Sequence, residues 1–227
     1  MTTHALTRAD VDALTLHLCH RYGVAVHRRT GALGSIIFGA AGVVLQTAGL
    51  ITAAARIFGL NGSFVDTLAG LPASKAFERY GTTIGPLVFL PAWVDEPDAD
   101  PVNVAVLTVH EVTHWLEQQS AGIVRYASLY VTDREFRATQ ETGAALAEAE
   151  LRHALTGVVP PITDVVRIDH GYALRPGDIE FGRLLGEQEM TAVAAGAYGQ
   201  PVALEAIRFL RERGVALADI AILVVAA

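Results

Sequence analysis

Residues 108–114 read Thr108-Val109-His110-Glu111-Val112-Thr113-His114, inside a longer stretch that opens on Asp100-Pro101 and closes on Ser120-Ala121-Gly122. The opening pair signals a helix start. An Asp side chain can accept from a first-turn backbone N–H, and proline has no N–H to lose there. The spacing predicts a helix over 102–119, stopped at the Ser-Ala-Gly break. On such a helix His110 and His114 are rotated by about 400°, so both imidazoles leave one face and can share one metal ion. Glu111 leaves the helix about 100° from His110, which suits its carboxylate to a water on the metal rather than to the metal itself. With eight His and thirteen Glu in the chain, composition alone would produce this pattern with a probability of about 2%. Its place in a capped helix therefore carries part of the inference.

On the N-terminal side of this helix, residues 82–90 (TTIGPLVFL) read as a strand, and Pro86 assigns it to a sheet edge because proline cannot donate to a ladder. The acidic run 95–100 reads as a solvated loop that would favour basic substrates if it bordered a cleft. On the C-terminal side, Thr132-Asp133 is a second cap signal, and the alanine-rich run after it predicts a helix to about residue 155, ended by Gly157 and Pro160-Pro161. A loop is expected over 158–177, followed by a helical stretch over 178–186 and short helical patterns punctuated by Gly196, Gly199 and Gly214. At the start of the chain, Thr7 caps a helix over 8–22 with Val11, Leu14 and Leu18 on one face. Gly23 ends it before a short strand over 24–27. Trp115 is expected in the core, and His153, late in its helix, would suit the C-terminal dipole as a cation. His17, Cys19, His20 and His27 do not share one face and are read as an accidental cluster.

Of the 227 residues, 52% are apolar and only 18% charged, which excludes a disordered or fibrous chain and favours one domain over 1–227. A formal charge of −7 argues against nucleic acid as a partner. The single cysteine, Cys19, excludes a disulfide framework and points to a reducing, cytoplasmic setting. Arg8, Asp10 and Asp12 interrupt the place where a leader would need its apolar run. Residues 30–55 carry no charge and include Gly31, Ser35 and Gly39 at small-xxx-small spacing, so they read either as buried core or as a membrane contact.

His110-Glu-Val-Thr-His114 resembles the zinc-binding helix of the HExxH metallopeptidases. A metzincin pattern would need Gly at 117 and His at 120, where this chain has Glu117 and Ser120. The resemblance is therefore to the gluzincin-like branch, in which a Glu from the following helix is the third ligand. It covers roughly residues 82–150. It implies Zn²⁺ held by His110, His114 and Glu141, with Gly143, Ala144 and Ala145 allowing close helix approach. Glu135, in the first helical turn, is the alternative third ligand. It also implies an α+β, mainly helical fold: a zincin-like core with a small edge sheet, the HExxH helix and a following Glu-bearing helix. The expected activity is hydrolysis of a peptide or protein substrate with Glu111 as general base, and the strand over 82–90 would bind the extended substrate by strand addition. Candidate stabilisers of the transition state are Tyr126, Tyr130, His170 and Tyr172, with the loop carrying His170 and Tyr172 preferred because it could close on substrate. Two other classes fit the same residues: a catalytically silent zinc-binding structural or assembly protein, and a peptidase anchored to a membrane through residues 30–55.

Overall fold

The computed structural model describes residues 3–28, 81–161 and 176–224. In chain order these form α1 (Arg8–Tyr22), β1 (Ala25–Arg28), β2 (Thr82–Ile84), β3 (Leu87–Leu90), a 3₁₀ turn (Ala92–Asp95), α2 (Pro101–Ala121), α3 (Ile123–Thr132), α4 (Arg134–Thr156), α5 (Pro176–Ala194), β4 (Ala197–Tyr198), α6 (Pro201–Glu212) and β5 (Leu223–Val224). The described part is mainly helical with small sheets, an α+β arrangement.

The caps form where the side chains dictate. Thr7 and Asp10 make a reciprocal capping box at α1, and Gly23 ends that helix in the left-handed region with φ 65°. Asp100 accepts from the Val102 backbone N–H at 3.0 Å at the start of α2, and Asp133 accepts from Phe136 N–H at 3.0 Å at the start of α4. Each satisfies one of the donors a helix start leaves unpaired.

Residues 82–90 do not form one strand. Gly85 and Pro86 are the two-residue turn of a hairpin, with Gly85 at φ 55°, a position that glycine fills without steric cost. Thr82 pairs with Phe89 and Ile84 with Leu87 across the antiparallel β2–β3 ladder. The strand order is β1-β3-β2, with β1 and β3 parallel. Proline thus sits in the turn, β3 is central, and among the described residues β2 is an edge of this sheet, as β1 is on the other side.

The core runs from the Val11, Leu14 and Leu18 face of α1 through Val88 and Leu90 of β3 to Val104, Val109 and Val112 of α2, and on to Leu151 of α4 and Ile207 and Leu210 of α6. Helices α2 and α4 pack together; Ala147, Leu151 and Ala154 of α4 join the core that holds the α2 valines, while Ala145, Leu146 and Ala149 cluster with Met190. Trp115 is buried, and its indole N–H donates to Tyr22 O at 2.9 Å.

Two local expectations differ, and a segment without a sequence assignment is helical. Residues 123–132 form α3, directly after Gly122. Their β-branched and aromatic content gives weak helix propensity, which the packing of Tyr126 against Phe136 overrides, the ring centroids being 5.4 Å apart. Helix α5 continues through Gly186 to Ala194. His153 is buried with Nδ1 2.9 Å from the Tyr198 hydroxyl, and burial lowers its pKa, so it is not the dipole-stabilised cation expected. His17 pairs with Glu205 of α6 at 2.6 Å and stacks on Phe209.

Candidate metal centre

Helix α2 presents His110 and His114 from one face, one turn apart, and their rings meet edge to face at 4.9 Å between centroids. Helix α4 brings the Glu141 carboxylate against them. His114 Nε2 is 3.5 Å from Glu141 Oε1 and His110 Nε2 is 3.8 Å from Glu141 Oε2. One ligand atom from each of the three residues lies within 4.8 Å of the others. Two of these separations are long for hydrogen bonds, yet the groups converge in a largely buried place. A tetrahedral zinc with bonds of about 2.0–2.2 Å holds adjacent donor atoms about 3.3 Å apart. Two imidazoles and a carboxylate converging in this way could hold a metal ion once drawn slightly together.

Each imidazole turns its other nitrogen toward a further carboxylate. His114 Nδ1 is 2.8 Å from Glu117 Oε2, and the Tyr126 hydroxyl lies 3.3 Å from both atoms. Glu117 has this room because residue 143 is glycine: a Cβ there would stand 2.9 Å from Glu117 Oε1. His110 Nδ1 is buried with no hydrogen-bond partner, and Glu148 Oε2 stands 3.7 Å from it. Carboxylates behind metal-binding histidines fix the tautomer and raise ligand basicity.

The field around the two histidines is asymmetric. Burial and the neighbouring His114 depress the pKa of His110 well below its ordinary value. Burial also opposes charge on His114, but the Glu141, Glu117 and Glu111 carboxylates outweigh it and lift its pKa to about 10. Burial pushes Glu117 up, and burial together with Glu117 and Glu141 pushes the Tyr126 hydroxyl up, so Tyr126 keeps its proton and remains a donor.

Glu111 is buried beneath β2. The Thr83 hydroxyl lies 2.8 Å from Glu111 Oε2 and 2.8 Å from the Glu111 backbone O, able to donate to either. Gly81 lies against the same carboxylate, where a Cβ would come within 2.1 Å of Oε1. Two turns further along α2, the Gln118 carboxamide accepts from Gly85 N–H at 2.9 Å and donates to Thr83 O at 3.0 Å. The strand therefore follows the helix from Glu111 to Gln118.

Of the residues singled out in the sequence, His110, His114 and Glu141 come together, with Glu111 on the adjoining face of α2. Glu135 is exposed in the first turn of α4. The Tyr130 hydroxyl donates to Glu141, and the buried Arg137 guanidinium lies 5.8 Å from the Tyr130 ring centre. His170, Tyr172 and residues 30–55 lie outside the described residues. Among the described residues no helix is long and apolar enough to cross a membrane.

Sequence reasoning missed Glu117, Glu148, Thr83 and Gln118. Glu117 lies three residues beyond His114 on the same helical face, and Glu148 lies seven beyond Glu141, so both had a periodicity signal. Thr83 and Gln118 matter only through pairing across the fold. Compared with protein-family models, curated proteins and solved structures, the chain matches none.

Proposed function

We propose that this chain is a zinc-dependent peptidase with a zincin-like core. The observation that carries the reading is the convergence of His110, His114 and Glu141 on one buried point, each imidazole backed by a carboxylate and Glu111 adjoining. The His-Glu-x-x-His order and a carboxylate from a later helix, here α4, are the features of its resemblance to gluzincin-like peptidases.

In this reading His110 and His114 bind through Nε2, and Glu141 binds through its carboxylate. Zinc supplies Lewis acidity, acidifying water and polarising a carbonyl. Glu111 takes the proton of the attacking water and returns it to the leaving amine, while Thr83 steadies its Oε2. Glu117 and Tyr126 hold the His114 ring, and Tyr130 holds the Glu141 carboxylate.

The test is metal content followed by turnover of a peptide pool by wild type and Glu111→Gln. One zinc per chain is expected, with activity lowered by about 10²–10⁴ in the variant, the usual contribution of a general base. Metal-free protein, or equal cleavage by both, would sink the proposal. Stoichiometric zinc whose chelation lowers stability, with no cleavage of any peptide, would instead assign the site to structure.

A further inference from the structure

Among the described residues β2 is an edge strand, and edge strands are where extended peptides add to a sheet. In an antiparallel hairpin closed by a two-residue turn, Ile84 and Leu87 form the hydrogen-bonded pair nearest the turn. Pairs alternate, so Thr83 opposite Val88 turns its backbone groups away from β3. The Thr83 C=O is met on that outer side by Gln118 Nε2, and the Gly85 N–H is met by Gln118 Oε1. A primary carboxamide carries one acceptor and two N–H donors and can satisfy a strand edge as a peptide backbone does. Gln118 is buried, so the contact is part of the packed structure rather than a loose surface bond.

We infer that the Gln118 carboxamide occupies the outer edge of the β2–β3 hairpin at Thr83 and Gly85 in place of a peptide backbone, so that an extended peptide gains these groups only by displacing it. The occupant is fixed by what lies next door. The residue whose C=O Gln118 covers, Thr83, also presents its hydroxyl to Glu111. A peptide backbone docked at Thr83 and Gly85 would thus lie along the strand that covers the proposed general base. That the displacing peptide is a substrate rests on the peptidase reading; the occupation of the edge does not.

Displacement leaves Thr83 O and the Gly85 N–H paired with the peptide but turns the Gln118 carboxamide out of its buried partners. Gln118 is therefore a competitor that weakens and filters binding. Peptides able to make both backbone bonds pass. A peptide with proline or an N-methylated residue at the pairing position cannot supply the donor for Thr83 O and should fail.

The experiment compares wild type with Gln118→Met, which keeps the side chain's length and removes its hydrogen bonds. Backbone amide exchange reads the contact itself: the Gly85 amide should exchange at least about tenfold faster in the variant, because it loses its acceptor. Binding of a blocked, extended peptide drawn from the pool is then measured on zinc-loaded Glu111→Gln protein, with and without Gln118→Met. Kd should fall about fivefold when Gln118 is replaced, the worth of one displaced neutral hydrogen-bonded pair, and the same peptide N-methylated at its central residue should show no such gain. Unchanged Gly85 exchange, or faster exchange without tighter peptide binding, overturns the inference. If wild type cleaves peptides but their binding ignores Gln118, this inference falls and the peptidase reading stands. If binding tightens in the variant while zinc-loaded wild type cleaves nothing, the peptidase reading falls and this one stands.

Discussion

Gly81, immediately before β2, lies against the Glu111 side chain, and alanine there is a direct probe of how Glu111 is held. An ideal Cβ on residue 81 would lie 2.1 Å from Glu111 Oε1, 2.5 Å from Cδ and 2.7 Å from Cγ. Because the added methyl meets three atoms of a buried side chain, rotating one terminal oxygen does not relieve it. Either Glu111 leaves its place or β2 lifts from α2, and both routes break the Thr83 contact with the Glu111 carboxylate. Overpacking costs about 1–3 kcal/mol, and a lost hydrogen bond to a charged group about 1.5–3 kcal/mol. Partial relaxation makes these overlap, so Gly81→Ala should destabilise by about 2–4 kcal/mol, or about 5–15 °C in Tm for a chain of this size. The Gly81 backbone lies outside the left-handed region, so strain at φ contributes nothing. The decisive assay is a double-mutant cycle with Glu111→Ala, read by urea denaturation of zinc-loaded protein. Removing the carboxylate opens the space the methyl needs, so Gly81→Ala should become nearly neutral in that background, a coupling of about 2 kcal/mol or more. Peptide turnover should fall by at least about 10² in Gly81→Ala alone, the effect of about 1 Å misplacement of a catalytic group. Zinc stoichiometry should not change, since the metal-facing side chains are elsewhere. Additivity of the two substitutions within about 0.5 kcal/mol would refute the contact as the cause.

Glu141→Ala should abolish stoichiometric zinc at micromolar protein while Glu135→Ala retains it, as measured by atomic absorption after gel filtration; the opposite pattern would reassign the third ligand. Zinc uptake near pH 7 should release about one proton, because the surrounding carboxylates hold His114 protonated up to about pH 10 in the metal-free protein; calorimetry in buffers of different ionisation enthalpy checks this, and uptake without proton release would contradict it. Burial raises the Glu150 carboxyl from 4.5 to about 7, against the Gly199 and Gln200 N–H groups that favour its charge. A carboxyl with a raised folded-state pKa gives stability that is full below pH 4.5 and is lost as pH rises through about 7, by at most about 3 kcal/mol. Glu150→Gln should flatten the stability profile between about pH 4.5 and 7, and an unchanged slope would show that Glu150 is not its source.

The sequence by itself determined the local features whose causes are local. Asp100, Pro101 and Asp133 place two helix starts through their own side chains, Gly23 and Gly157 end helices by adopting positive φ, and the four-residue spacing of His110 and His114 brings two imidazoles to one face. It also favoured Glu141 over Glu135 as a candidate, since Glu141 lies inside its helix beside Gly143, Ala144 and Ala145 while Glu135 sits in the first turn. What the tertiary structure decided are pairings between elements distant in sequence. It set Glu117 behind His114 in the space left by Gly143 and brought Glu148 toward His110. It made a hairpin of residues 82–90, with Pro86 in the turn, and turned the weakly helical segment 123–132 into a helix carrying Tyr126 and Tyr130 to the site. It also laid β2 over Glu111 and fastened its edge with Gln118. Periodicity and capping depend on neighbours within a turn or two of chain and so survive in one dimension. A hydrogen bond across 35 positions, like that from Gln118 to Thr83, leaves no spacing signal, because the fold alone sets the distance between its ends.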